Sequence, residues 1–231
     1  EGGVGLIVTG GIAPNEAGKV NRTGSVLVNE EEANLHIPVT RAVHEHGGKI
    51  AMQILHTGRY GYHDKAVGAS ELRAPINVVK PHKLSHQEIL STIDDFARCT
   101  ELARHAGYDG VEIMGSEGYL INQFTAKRTN NRDDDWGGSL ENRMRFPLEI
   151  IRAVRKRVGN DFIIVYRLSM LELVEAFYAL QPPTRLKWRD GILSGTLKPG
   201  LRLDEIGLAR HAASHATESD LRDLKVGLMA S

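Results

Sequence analysis

Cysteine is nearly absent: one residue, Cys99, in a chain of 231. A lone thiol excludes any disulfide within the chain, and any iron–sulfur or cysteine-rich zinc site built from this sequence alone. Its setting in a helix-like stretch reads as a small buried hydrophobe. Long apolar runs are also missing. Nothing approaches the roughly 20 consecutive apolar residues a spanning helix needs, and no basic-then-apolar leader opens the sequence. The expectation is no membrane partner and a cytoplasmic setting. Nor is there a surplus of one charge. Lys plus Arg and Asp plus Glu stand at 29 each, so no global field draws the chain to nucleic acid or an acidic lipid surface. A Walker loop and a G-x-G-x-x-G following a strand are both lacking, which removes those routes to phosphate capture. The histidines form no pair at helical spacing beside carboxylates, and His44 and His46 diverge near a helix end, so no metal site is expected.

What is present is a repeat. Strand-like apolar runs at Val4–Val8, Lys49–Leu55, Gly110–Ile113 and Phe162–Tyr166 recur, and helix-like patterns follow the first three. The best-marked helix runs from about Glu88 to Arg104. It carries an apolar stripe of Ile89, Ile93, Phe96, Ala97, Thr100 and Ala103, a Ser85-His86-Gln87-Glu88 capping box and Gly107 past its end. Another covers about Leu140 to Val158, with Ser139 as N-cap, Phe146, Ile150, Val154 and Val158 inward, and Gly159 as the stop. A weaker one covers about Glu31 to Glu45 and ends at Gly47-Gly48. Strands apolar on both faces and joined by helices predict an α/β fold with a parallel sheet. Beyond Glu175 the periodicity stops amid Pro182-Pro183, Gly191 and Pro199-Gly200. The expected organisation is therefore a domain over residues 1–175 and a poorly ordered tail over 176–231. The start at Glu1-Gly2-Gly3, with a strand directly behind it, reads as a fragment.

If those strands are parallel, Gly10-Gly11, Gln53 to Arg59, Met114 to Tyr119 and Arg167 all fall near carboxyl ends on one side of the sheet, where α/β enzymes hold their chemistry. Singly, each has an ordinary reading. Gly10-Gly11 suits a tight turn as well as a ligand's close approach. Gln53 is an amide in an apolar strand and needs partners. Arg167 closes a buried strand and needs an anion or an electron-rich partner. His56 reads equally as an interior histidine, and Tyr119 as core packing with an anchored hydroxyl. Asp133-Asp134-Asp135 fits a solvated loop or ion-pair partners for nearby arginines. The polar stretch Arg128 to Ser139 makes the connection after Gly110–Ile113 long, and such loops are usually functional.

Taken together, Ile7-Val8-Thr9-Gly10-Gly11, Gln53-Ile54-Leu55-His56-Thr57-Gly58-Arg59, Gly115-Ser116-Glu117-Gly118-Tyr119-Leu120-Ile121-Asn122-Gln123-Phe124, Arg128-Thr129-Asn130, Trp136 to Arg143 and Tyr166-Arg167-Leu168-Ser169 resemble the old yellow enzyme family of FMN-dependent NADH:flavin oxidoreductases. The resemblance is closest to its bacterial 2,4-dienoyl-CoA reductase branch and covers about residues 2–175. It implies part of a (β/α)8 TIM barrel, about four βα units. It also implies FMN held by Gly10, Gln53 and Arg167, with Gln53 on the pyrimidine edge and Arg167 beside N1, where a permanent cation stabilises the anionic reduced flavin. NAD(P)H would be the electron donor and an unsaturated acyl-CoA or related activated alkene the substrate. Tyr119 would be the proton donor, since a phenol of pKa near 10 keeps its proton at neutral pH. His56, Arg59, Met114 and Glu117 would line the site. Met114 and Glu117 stand where simple enone reductases of the family carry a carbonyl-grasping His with a second His or Asn, which favours the dienoyl-CoA branch. The 4Fe-4S and FAD sites of full-length members of that branch have no counterpart in this sequence. Two other outcomes stay open: an inactive, truncated or frameshifted half-barrel that associates through open sheet edges, or another flavin dehydrogenase of the superfamily.

Overall fold

A computed structural model describes residues 2–169 and two short strands, Lys187–Arg189 and Ile192–Ser194. The chain divides into two units, Glu1–Ser169 and Met170–Ser231. The expectation of a poorly ordered tail lies outside the described residues, except that the two short strands (β7 and β8) pair antiparallel.

In the first unit, β1 (Leu6–Val8), β2 (Lys49–Ile54), β5 (Gly110–Gly115) and β6 (Ile163–Leu168) form one sheet in the order β1-β2-β5-β6, parallel throughout. Two-residue strands β3 (Val67–Gly68) and β4 (His82–Lys83) make a separate parallel ladder within the connection between β2 and the following helix. Each major strand follows the chain's apolar runs, and each long helix starts on a side chain that satisfies an orphan N–H. Asn29 caps α1 (Glu30–Glu45) by accepting from Glu32 N, and Ser139 caps α4 (Leu140–Val158) by accepting from Asn142 N. Ser85 and Glu88 close a complete capping box on α2 (His86–His105). Gly107 lies beyond α2 at φ +86° and Gly159 ends α4 at φ +71°, backbone that favours glycine.

The two faces of the sheet differ. One face presents Ile50, Met52 and Ile54 of β2 with Val111 and Ile113 of β5. These pack with Ile89, Phe96 and Ala103 of α2 and Phe146, Ile150 and Val154 of α4 in a single buried cluster. Burying one such large side chain is worth about 1.5–3 kcal/mol, so this helix-covered face anchors the unit. The opposite face carries the alternate residues, which strand register sets in rows. Val8, Ala51, Gly110 and Ile163 form one row; Gln53, Glu112 and Val165 form the next; Met114 and Arg167 form the row nearest the carboxyl ends. The row through Ala51 is thus apolar, and the two rows beyond it towards the carboxyl ends carry polar groups. Among the described residues β1 and β6 are the outer strands, and Leu6, Ile7, Val8 and Ile163 are exposed there.

Candidate active site

The polar rows build one connected cluster. Gln53 Nε2 donates to Glu112 Oε1 at 2.7 Å, directly across the β2–β5 register. The same Glu112 oxygen lies 4.0 Å from Arg167 Nη1, and Arg167 Nη2 donates to Glu117 Oε1 at 2.5 Å. Glu117 is the one non-glycine residue with positive φ among the described residues, at +61°. That left-handed turn, tied to the end of β6 by the Glu117 N–H donating to Ser169 Oγ at 3.2 Å, brings the carboxylate to the guanidinium. Gln53, Arg167 and Glu117, expected together from sequence, are therefore brought together. Tyr119 belongs to the same neighbourhood. Its phenol is held above its ordinary pKa, first by burial, then by the negative charge of Glu117 and by Tyr60, against the opposing pull of Arg167. The proton stays on oxygen at neutral pH.

Tyr119 is held by loops that stitch β2's end to β5's. Leu120 N–H donates to His56 O at 2.9 Å, and Gly118 N–H donates to Asn122 Oδ1 at 2.7 Å. Buried Gln123 donates from Nε2 to Gly118 O at 2.7 Å and accepts from Arg59 N at 3.2 Å. Gly118, at φ +78°, lets the backbone pass Tyr60, whose ring meets Tyr119 edge-on with centroids 6.0 Å apart. Residues Leu120–Thr125, which sequence reasoning left within a loop, form a short helix, α3. They are too few to show a helical period, so tertiary packing of Leu120, Ile121 and Phe124 decides it.

The remaining expected residues sort by exposure. Met114, register partner of Arg167, is buried and accepts a weak bond from Ser116 Oγ. Arg59 is half-buried, its guanidinium over the Tyr60 ring. His56 is 2% exposed, with Nδ1 accepting from Gly58 N at 3.1 Å and Nε2 without a protein partner. Burial, reinforced by nearby His63, lowers its pKa to about 3, so the ring is neutral. Gly10 faces open space, whereas a Cβ on Gly11 would strike Leu55 and come within 3.1 Å of Gln53 Oε1. Glycine at 11 is thus demanded by protein packing, while that at 10 leaves room above Gln53's strand.

Sequence reasoning passed over Glu112 as a site residue. The signal available was a carboxylate within the otherwise apolar Gly110–Ile113, which needs a buried partner. The polar stretch after Tyr119 has an architectural task. Arg132, 4% exposed, donates to Ala69 O and Leu84 O and makes a two-pronged pair with Asp134, while Asn130 donates to Phe124 O and Trp136 O. Of the three adjacent aspartates, Asp134 is this arginine's partner, and that contact leads in holding its carboxyl below the usual range. Among the described residues no group of His, Cys, Asp and Glu could hold a metal ion, and no helix is long and apolar enough to cross a membrane.

Residues 1–181 match the NADH:flavin oxidoreductase / NADH oxidase family. The chain is 38% identical over 175 residues to N,N-dimethylglycine/sarcosine dehydrogenase of Chromohalobacter salexigens, covering 73% of this chain and 25% of that protein. Among solved structures, morphinone reductase superposes with a TM-score of 0.67 at 29% identity, covering 71% of this chain and 49% of that one. A 2-naphthoyl-CoA reductase in complex with 2-naphthoyl-CoA superposes with a TM-score of 0.69 at 33% identity, covering 74% and 29%. The chain therefore spans between a quarter and about half the length of these proteins. The parallel sheet with its helices is part of a TIM barrel, and the face bearing Gln53, Glu112 and Arg167 is the barrel's inner face.

Proposed function

Because this chain belongs to the NADH:flavin oxidoreductase / NADH oxidase family, we propose that its inner-face cluster holds FMN and serves reduction of an activated C=C bond in an unsaturated acyl thioester. One observation carries the reading: Gln53, Arg167 and Tyr119 gather at the carboxyl ends of neighbouring parallel strands, linked through Glu112 and Glu117. The residues present fit a flavin. Gln53 keeps Oε1 and its second amide N–H for the pyrimidine edge, Arg167 leaves part of its guanidinium accessible, and the space over Gly10 is open.

FMN, when bound, supplies hydride transfer between the nicotinamide donor and the substrate carbon. The chain's own residues bind, orient and protonate. Gln53 and Arg167 fix the ring's polar edge, and Arg167 offers a permanent cation where negative charge develops. Tyr119 holds a proton on its phenol oxygen and would deliver it to the carbon beside the thioester carbonyl. The Tyr60 ring and the Gln123 braces restrain Tyr119. The similarity to a structure holding 2-naphthoyl-CoA supports a CoA thioester as the substrate class. A second reading, oxidation of an amine, is favoured by the similarity to N,N-dimethylglycine/sarcosine dehydrogenase.

The test is FMN titration followed by flavin fluorescence, with Gln53→Ala and Arg167→Ala beside the parent chain. One or two lost hydrogen bonds, at about 1–3 kcal/mol, predict binding weaker by roughly tenfold or more. Unchanged binding in both variants refutes the cofactor site. Mixing the FMN-loaded chain with an unsaturated acyl-CoA after chemical reduction, or with dimethylglycine in the oxidised form, separates the two substrate readings by which one changes the flavin's absorbance.

A further inference from the structure

Resting on the flavin reading, we infer that Glu112 is a positioning residue: it fixes which end of the Gln53 amide faces the ligand and tempers the charge of Arg167. A carboxylate in the middle of a parallel strand is costly to desolvate, and a β-branched residue would suit the strand better. Glu112 nevertheless sits there with its side chain only 12% exposed, and its contacts are the two side chains proposed to hold the cofactor: Gln53 at 2.7 Å and Arg167 at 4.0 Å.

The chemistry makes the orientation one-sided. A carboxylate offers acceptors alone, so it takes an N–H from Gln53 Nε2; a flipped amide would set oxygen against oxygen at that same distance. Gln53 Nε2 carries a second N–H, so the pinned amide still presents one donor and one acceptor in a set order. Gly11 supports the arrangement from the other side, since a Cβ there would crowd Oε1. Without Glu112 the amide would be free to turn over, and part of the binding energy would go to ordering it. The second effect is electrostatic. Glu112 and Glu117 place two carboxylates around one guanidinium, which weakens the field Arg167 exerts on negative charge in the ligand.

The experiment compares the parent chain, Glu112→Gln, Gln53→Ala, their double variant and Glu112→Asp. It measures the FMN dissociation constant by fluorescence, the reduction potential of the bound flavin and thermal unfolding without flavin. Glu112→Gln is expected to weaken FMN about tenfold in the parent yet add nothing in the Gln53→Ala background, and to raise the potential because a negative charge leaves Arg167's surroundings. Glu112→Asp keeps the charge but cannot span the gap to Gln53, so it should lose affinity with little change in potential. The unfolding temperature of the flavin-free variants should stay near the parent's. Additive losses in the double variant, or an affinity loss that tracks only a fall in unfolding temperature, would overturn the positioning role. If the parent and Gln53→Ala behave as the flavin reading expects while both Glu112 variants match the parent, this inference alone fails. If the parent binds no FMN, both fail.

Discussion

His56 offers a quantitative test of how the loop behind the site is built. Its ring is buried, one nitrogen accepting from Gly58 N and the other without a protein partner, and its folded pKa is lowered to about 3. In the unfolded chain the value returns to about 6.5. Between those values the unfolded state binds the extra proton and the folded state does not, so stability falls as pH drops below about 6.5 and recovers above it. Each pH unit in that window costs about 1.4 kcal/mol, and the shift from pH 7 to pH 5 costs about 1.9 kcal/mol from this group alone. His56→Asn keeps an acceptor near Gly58 N while removing the titration. His36, also lowered by burial against the opposing charge of Glu32, is common to both chains and cancels in the difference. Urea unfolding of parent and variant at pH 7, 6 and 5 should show the parent losing about 2 kcal/mol more than the variant over that range. Parallel profiles would refute the claim that His56 is folded in neutral form.

Two other outcomes follow from the geometry. Arg132→Ala should destabilise the chain by about 2–5 kcal/mol, because it leaves the carbonyls of buried Ala69 and Leu84 without a donor; a change under about 1 kcal/mol by denaturant unfolding would show the lock to be ornamental. Tyr119→Phe should slow reoxidation of chemically reduced, FMN-loaded chain by an unsaturated acyl-CoA about 100-fold or more, while NAD(P)H-driven flavin reduction is nearly unaffected in stopped-flow absorbance; equal slowing of both half-reactions would count against proton donation.

The long elements were legible because their signals are local. The capping box at Ser85, the stripe from Phe146 to Val158 and the apolar runs of β2 and β5 each declare themselves within about 20 residues, and each stands where expected within two or three positions. The convergence of Gln53, Tyr119 and Arg167 was legible in part, because in a parallel sheet every strand's carboxyl end lies on the same side. Three things were not. α3 is shorter than two helical turns, Glu112's role depends on a partner 59 residues away, and Arg132's burial depends on carbonyls from two separate loops.

The order of residues by itself determined the period of strand and helix, the direction of the strands and therefore which polar side chains share a rim, because these follow from hydrophobic alternation, end caps and short-range sterics. Only the tertiary structure decided which of those side chains pair: that Gln53 answers to Glu112, that Arg167 is shared between two carboxylates, and that His56 is shut away without charge. Register between strands and the dielectric around a group are set by neighbours distant in the chain, and no local pattern encodes them.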